Sequence, residues 1–265
     1  MITNKQRVQF QPAYILHQRP YKDASAIVEI FSAEHGRHGL VAKGIKRSTS
    51  RLRGVMQSFQ PLLMSWVGRG ELGTLTAVEM RGHALVFEPK YYSSAFYMNE
   101  LLLRLLQRDD PHVELFSCYD NALRSLAALT GARDTALPLQ AILRLFEVNL
   151  LQLLGYALIL DHDVKTNEPI NDECQYDYMF DYGPVRSTDD DSESNRVVVN
   201  GATLQALSRL SRSDGEIAGV NSSLIFKEAK RLLRGVLDYY LGYKPLQSRE
   251  MYRRTTPLTK QVSQG

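Results

Sequence analysis

The sequence predicts an α+β protein in which an N-terminal β-barrel is followed by an α-helical domain. Between residues 13 and 80, short segments rich in β-branched and aromatic residues alternate with turn residues. From Tyr91 onward, apolar residues recur instead with the spacing of an α-helix. An acidic, irregular segment interrupts the helices. We therefore expect domains at residues 1–82 and 83–256, an acidic insertion at about 160–200 and a disordered tail at 257–265.

The barrel is predicted from five strands, at residues 13–18, 25–31, 36–42, 61–67 and 74–80. Pro20, Asp23 and Gly68 lie between them, at positions where turns favour such residues. Five strands in about 70 residues, with a longer connection after the third strand, favour a closed barrel of the OB type. An SH3-like barrel has a similar strand count and stays an alternative.

The helical domain is predicted from five apolar-periodic segments, at about residues 91–108, 112–129, 138–155, 203–210 and 223–241. The third segment has Pro138 near its first turn and Gly155 at its end, as helix termini favour. Its apolar residues surround most of the helix circumference. We therefore expect this helix to be the central helix of the domain.

Positive charge is unevenly distributed along the chain. The net charge is +3, but residues 1–89 hold twelve Lys and Arg against six Asp and Glu, and residues 227–260 hold nine against three. Residues 160–195 reverse the balance, with eleven acids against two bases. Such segregation is typical of nucleic-acid-binding proteins, because a polyanion is attracted to a continuous basic surface.

Two basic sets are candidate DNA contacts. The first occupies a stretch without any acidic residue between Glu34 and Glu71 and consists of Arg37, Lys43, Lys46, Arg47, Arg51, Arg53 and Arg69. The second lies on the last helix and consists of Lys227, Lys230, Arg231 and Arg234. We predict that the first set binds phosphates and that the second holds another strand or a duplex. Solvated surface side chains are the alternative for both sets.

The composition points to a soluble protein in a reducing compartment. No apolar run approaches the roughly 20 residues of a membrane span, and residues 1–11 lack the apolar core of a signal peptide. Two cysteines, Cys118 and Cys174, are too few for a disulfide framework. We expect a cytoplasmic, nucleoid-associated protein that does not bind membranes.

The sequence lacks the common catalytic motifs. It has no phosphate-binding glycine loop, no HExxH and no GxSxG. The strongest enzyme-like feature is an acidic cluster of Asp161, His162, Asp163, Glu168, Asp172 and Glu173. These side chains could hold Mg²⁺ in a metal-dependent nuclease, but an irregular segment fixes metal ligands poorly. We therefore expect no enzymatic activity and keep the nuclease as an alternative.

Motifs along almost the whole chain, from about residue 12 to residue 254, resemble the bacterial recombination mediator family RecO. They are RPYKDASAIVEIFSAEHGRHGLVAKGIKRSTSRLRGVMQSFQPLLMSW, GRGELGTL, YMNELLLRLL, LFEVNLLQLLGY and GYKPLQSREMY. The resemblance implies an OB barrel on a helical domain that binds single- and double-stranded DNA and anneals complementary strands. It also implies work with RecR and with the acidic C-terminal tail of single-stranded-DNA-binding protein, in loading RecA. A protein-interaction adaptor with incidental basic charge is a further alternative.

The resemblance also implies a pocket for that tail, which ends in an aromatic residue and a carboxylate. It assigns the pocket to the third helix, at Arg144, Phe146, Leu154 and Tyr156. Arg144 would supply the cation and the others the apolar surroundings. An ion pair of Arg144 with Glu147 or Glu100 is the alternative role.

Two further expectations concern the insertion and the barrel aromatics. Many members of the family hold zinc with four cysteines here, whereas this insertion offers only Cys174, so we predict no zinc. Packing of Tyr176, Tyr178, Met179 and Phe180 should order the insertion instead. Of the barrel aromatics Tyr14, Tyr21, Phe31, Phe59 and Trp66, we expect Phe31 and Trp66 in the core and Tyr21 as the best base-stacking platform.

Overall fold

The computed structural model describes residues 7–47, 50, 52–68, 72–156, 158–187, 195–212 and 223–249. Its N-terminal strands are β1 (Arg7–Tyr21), β2 (Ser25–Ser32), β3 (Gly36–Ala42), β4 (Leu62–Val67) and β5 (Leu72–Met80), with a short helix α1 (Leu52–Val55) before β4. They close into a barrel in the order β1-β2-β3-β5-β4. Only β3 and β5 among these neighbours pair in parallel. The predicted barrel on a helical domain is confirmed.

Strand β1 extends further at both ends than its predicted range. Its N-terminal half pairs with β4 and its C-terminal half with β2, and the register shifts near Val8 and again near Ile15. These bulges bend the strand, as barrel closure requires. Pro20 marked a turn in the sequence, and the same strand contains Pro12, although proline removes a ladder hydrogen bond. Here the bent strand accommodates both prolines.

The helices of the second domain are α2 (Tyr92–Leu105), α3 (Val113–Ala128), α4 (Ala136–Leu153), α5 (Gly201–Arg212) and α6 (Ser223–Tyr240). Helix α4 packs against α3, α5 and α6, which confirms its central position. By length and composition alone α4 could cross a membrane. Its contacts and its internal Arg144–Glu147 ion pair are those of the central helix of a folded domain.

The insertion between α4 and α5 contains a small sheet, with strands β6 (Gln175–Met179), β7 (Gly183–Arg186) and β8 (Arg196–Asn200) in the order β7-β6-β8. Tyr176, Tyr178 and Phe180 are buried and Met179 is half-buried, as the predicted packing requires. Strand β7 was not predicted. The acidic tip at residues 188–194 and the tail at 257–265 lie outside the described residues.

Hydrogen bonds and ion pairs join the barrel to the helical domain. The Tyr14 hydroxyl donates to Asp120 on α3 over 2.5 Å, and Asp120 also pairs with Arg81 and Arg124. The side-chain amide of Asn99 on α2 donates to the carbonyls of residues 15 and 16. One apolar cluster continues across the junction, where the rings of Phe31 and Phe116 lie 5.5 Å apart. The two domains therefore share a core.

Candidate nucleic-acid interface and anion pocket

The loop after β3 is anchored to the barrel by a few buried side chains. Ile45 is 3 % exposed and belongs to the barrel core, where Leu52 and Val55 pack at the edge. The backbone N–H of Lys46 donates to the carbonyl of Ala24, in the neighbouring turn, over 3.1 Å. Gly44 allows the first turn, because its φ of +71° is unfavourable for other residues. The loop is therefore held close to the β1–β2 turn.

The charged side chains of this loop extend into solvent. Lys43, Lys46, Arg47 and Arg53 are exposed. Within the described ranges, none of the four has an acidic partner within 4.0 Å. The ammonium group of Lys46 donates to the carbonyl of Lys22 over 3.3 Å. We call these four residues the loop cations. Unpaired, exposed cations on an anchored loop are available to bind phosphates.

The β1–β2 hairpin adds two cations that the sequence did not single out. Arg19 and Lys22 are exposed at its tip. Pairing of Ala26 with Ala42 places this hairpin beside the loop cations. The sequence shows one basic residue on each side of the Pro20–Tyr21 turn, but it does not show that this turn lies beside the loop after β3. The strand register shows that.

Arg37 lies at the domain junction instead of the loop. Its side chain donates to the carbonyl of Leu103 on α2, and its Nε lies 3.9 Å from the Glu29 carboxylate. Burial lowers its pKa, although Glu29 opposes that change. These partners favour a structural role for Arg37 over the predicted DNA contact. Arg51 and Arg69 lie outside the described residues.

All four cations of α6 are exposed, and they differ in their neighbours. The Arg231 side chain also donates to the backbone carbonyl of Val198. Lys230 and Arg234 line a cavity against α4 and α2. The spacing of the four cations, at three, four and seven residues from Lys227, places them on one side of the helix, so the second DNA surface stays a prediction. We assign Lys230 and Arg234 to that cavity.

The cavity lies between α2, α4, α6 and the segment after α6, and measures about 180 Å³. Its walls include both polar and apolar side chains. They are formed by Ser93, Ser94, Tyr97, Leu139, Gln140, Leu143, Arg144, Glu147, Lys230, Arg234, Ser248 and Arg249. Four of these side chains are cationic and one is acidic. We call this cavity the anion pocket.

Arg144 is the most enclosed cation of the anion pocket, with 3 % of its surface exposed. Its Nη2 donates to Glu147 over 2.6 Å, and the Tyr97 hydroxyl donates to the same carboxylate oxygen over 2.7 Å. Arg144 Nε and Nη1 and the second Glu147 oxygen have no hydrogen-bond partner among the described groups. Burial raises the pKa of Glu147 and lowers that of Lys230. Buried donors without partners favour binding of an anion.

The other residues predicted with Arg144 lie elsewhere. Phe146 is 1 % exposed and faces Tyr119 in the core, because it lies on the opposite side of α4 from Arg144. Leu154 and Tyr156 follow the helix C-terminus, roughly 15 Å along its axis. The Tyr156 ring stacks on Tyr240 at 4.2 Å. The apolar side of the pocket is instead Leu139 and Leu143, one helical turn apart.

The acidic cluster is dispersed in the fold. Asp163 accepts three backbone N–H bonds, from residues 165, 166 and 186, while Asp161 pairs with His162 and Arg212. Across the described ranges, no group of three or more His, Cys, Asp or Glu side chains could hold a metal ion. The part of the chain that the structure describes therefore offers no metal site for the nuclease alternative. The expectation of no zinc stays a prediction for a metal assay.

The barrel aromatics are mostly core residues. Phe31 is fully buried and Trp66 is 4 % exposed, as predicted for both. Tyr14 and Phe59 are also buried. Tyr21 is half-buried, with the ammonium group of Lys22 5.4 Å from its ring centre. Tyr21 is the one of these five rings with a face near solvent.

Fold and surface together define a two-domain protein with an OB-type barrel and a helical domain. The family profile described as Recombination protein O N terminal matches residues 8–83, and Recombination protein O C terminal matches residues 87–250. The chain belongs to the RecO family of DNA repair proteins.

Full-length relatives support this assignment. The chain is similar to proteins named DNA repair protein RecO from Nitrosococcus oceani, with 48% identity over 243 residues, 92% of each chain. Another from Nitrosospira multiformis is 42% identical over 253 residues, covering 96% of this chain and 98% of the relative. One from Aromatoleum aromaticum is 41% identical over 257 residues, covering 97% and 100%.

Proposed function

We propose that this protein is a non-enzymatic recombination mediator that binds single- and double-stranded DNA and anneals complementary strands. The observation that carries the proposal is the set of four loop cations, exposed and unpaired within the described structure. In a cytoplasmic, nucleoid-associated setting, the protein would work with RecR to load RecA onto DNA coated by single-stranded-DNA-binding protein.

Annealing requires no acid, base or nucleophile. Two complementary strands repel each other through their phosphates, and a basic surface that neutralises both lowers this repulsion. Base pairing then supplies the free energy. The loop cations bind backbone without reading sequence, because they reach phosphates and not base edges. Arg19 and Lys22 extend the same surface along the β1–β2 hairpin.

The anion pocket is proposed to bind the acidic C-terminal tail of single-stranded-DNA-binding protein. Such a tail presents a terminal carboxylate beside an aromatic ring, and the pocket presents cations beside Leu139 and Leu143. The free donors of Arg144 would bind the carboxylate, and the two leucines would contact the ring. DNA and tail would thus bind on different domains, so the protein could hold both at once.

The test is annealing of two labelled complementary oligonucleotides by the purified protein during a salt titration. A variant with all four loop cations changed to Ala should lose annealing at moderate salt. The matched control changes four exposed cations of the helical domain, Arg133, Lys165, Arg212 and Lys244, to Ala and should keep annealing. Equal annealing by both variants would refute the assignment of the loop cations.

The same preparation separates the alternatives. Incubation of labelled single strands with Mg²⁺ or Mn²⁺ should leave them intact, whereas cleavage that co-purifies with the protein would support a nuclease. An adaptor with incidental charge would show no annealing, and its binding would not respond to salt.

A further inference from the structure

Glu147 occupies the position where an acidic ligand of the anion pocket would bind. Its carboxylate is 1 % exposed and already accepts a hydrogen bond from Arg144. We infer that Glu147 is a built-in competitor that orients Arg144 in the free protein and takes up a proton when an acidic tail binds. This inference rests on the proposed tail site and deepens it.

Only part of the Arg144 guanidinium is hydrogen-bonded within the described structure. Its Nη2 is bound to Glu147, while Nε and Nη1 have no partner among the described atoms. A guanidinium binds a carboxylate best through two parallel N–H bonds. Both such pairs, Nε with Nη2 and Nη1 with Nη2, include the nitrogen that is bound to Glu147, so an incoming carboxylate must share Nη2 and lies beside the carboxylate of Glu147. Two carboxylates sharing one cation in a buried site favour protonation of one of them.

The charged and titratable groups that face Glu147 come from every element packed around it. They are Tyr97 on α2, Arg144 on α4, Lys230 and Arg234 on α6, and Arg249 after α6. Arg234 and Arg249 are partly neutralised by Asp238, at 3.6 Å and 2.6 Å. Among the residues that line the pocket, Glu147 is the single carboxylate. It is therefore the group that a bound anion would perturb most.

The direction of the pH effect follows from this competition. Burial already raises the pKa of Glu147, with Arg144 opposing the change. A bound carboxylate raises that pKa further, so the complex holds more protons than the free protein. Affinity for the tail then rises as pH falls, by at most about tenfold per pH unit between the free and bound pKa values.

The test is calorimetric titration of the full-length protein with an acidic peptide that ends in Phe and a free carboxylate. Repeating each titration in buffers of different ionisation enthalpy gives the number of protons taken up, from about pH 6 to about pH 8.5. Wild type should take up a fraction of a proton and bind more tightly at low pH. Glu147→Gln should bind as tightly at high pH as at low pH, with uptake lost.

Control variants separate the possible sources of protons. Glu114→Gln, at an exposed carboxylate of α3, should retain the uptake. Lys230→Arg keeps the charge but cannot lose a proton in this pH range, so loss of uptake in this variant would assign the proton to Lys230 and overturn the role of Glu147. The wild-type measurement needs no variant, so the test does not depend on the stability of Glu147→Gln. Binding without proton uptake, or equal uptake by Glu147→Gln, would overturn the role of Glu147. Absence of peptide binding would instead overturn the tail site itself.

Discussion

Removal of the loop cations should change the salt dependence of DNA binding by a calculable amount. Each phosphate contact contributes about 0.7 to the slope of log affinity against log salt for single strands. If Lys43, Lys46, Arg47 and Arg53 each bind one phosphate, their replacement by Ala lowers the slope by about 2.8. Between about 50 and 200 mM salt, the wild type would therefore lose roughly 50-fold more affinity than the variant.

Fluorescence anisotropy of a labelled oligothymidylate across this salt range measures the slope directly. The Ala variant should bind much more weakly at the low-salt end and lose less of its remaining affinity as salt rises. The helical-domain control variant should keep the wild-type slope. An unchanged slope in the loop variant would refute the reasoning, even if affinity fell, because loss of structure alone does not alter the number of released counterions.

Three other predictions test the anion pocket, the interactions of Asp120 between the domains, and the close contact at Gly36. Arg144→Ala should abolish binding of the acidic peptide while DNA affinity stays within twofold or so of wild type, since the two sites lie on different domains; full peptide binding would dismiss the pocket. Asp120→Asn should weaken the dependence of the free energy of unfolding on pH in the acid range. Burial opposes ionisation of Asp120, but hydrogen bonds from Arg124 and Tyr14 lower its pKa in the folded state. Ionised Asp120 therefore stabilises the wild type above the unfolded-state pKa of about 4, and this stabilisation is lost as pH falls through the folded-state pKa. Urea unfolding at several pH values measures the difference between wild type and variant. Gly36→Ala should destabilise the protein by at least about 2 kcal/mol in the same assay, because φ is +62° and a Cβ would lie 2.0 Å from the carbonyl oxygen of Asp110.

The pattern of apolar and turn residues in the sequence predicted most of the strands and helices. Strand β3 begins and ends where predicted, because short apolar runs between turn residues are typical of barrel strands. Helix α4 begins within two residues of its predicted start, since Pro138 lies in its first turn. Helix α1 was missed because its four residues are too few to show a period. Strand β7 was missed for the same reason, with four residues.

The binding surfaces were predictable to different degrees. Exposure of the loop cations followed from sequence, because residues 43–54 contain few apolar side chains that could bury them. The anion pocket could not be assembled from sequence alone, because Arg144 and Lys230 are distant in the chain and meet only when α4 packs on α6. Helical periodicity predicted the charged face of α6 but not which helix that face meets.

The basic residues around β3 therefore have two roles, DNA binding by the loop cations and stabilisation of the domain junction by Arg37. Composition alone cannot distinguish the two roles. A cation contributes to the salt slope only if binding replaces its solvent and counterions by phosphate. Arg37 has already exchanged its solvent for the carbonyl of Leu103 and the carboxylate of Glu29, so it adds stability to the junction instead. The expected slope thus depends on the cations that the fold leaves unpaired, and a larger slope would mean that the hairpin residues Arg19 and Lys22 also reach the DNA.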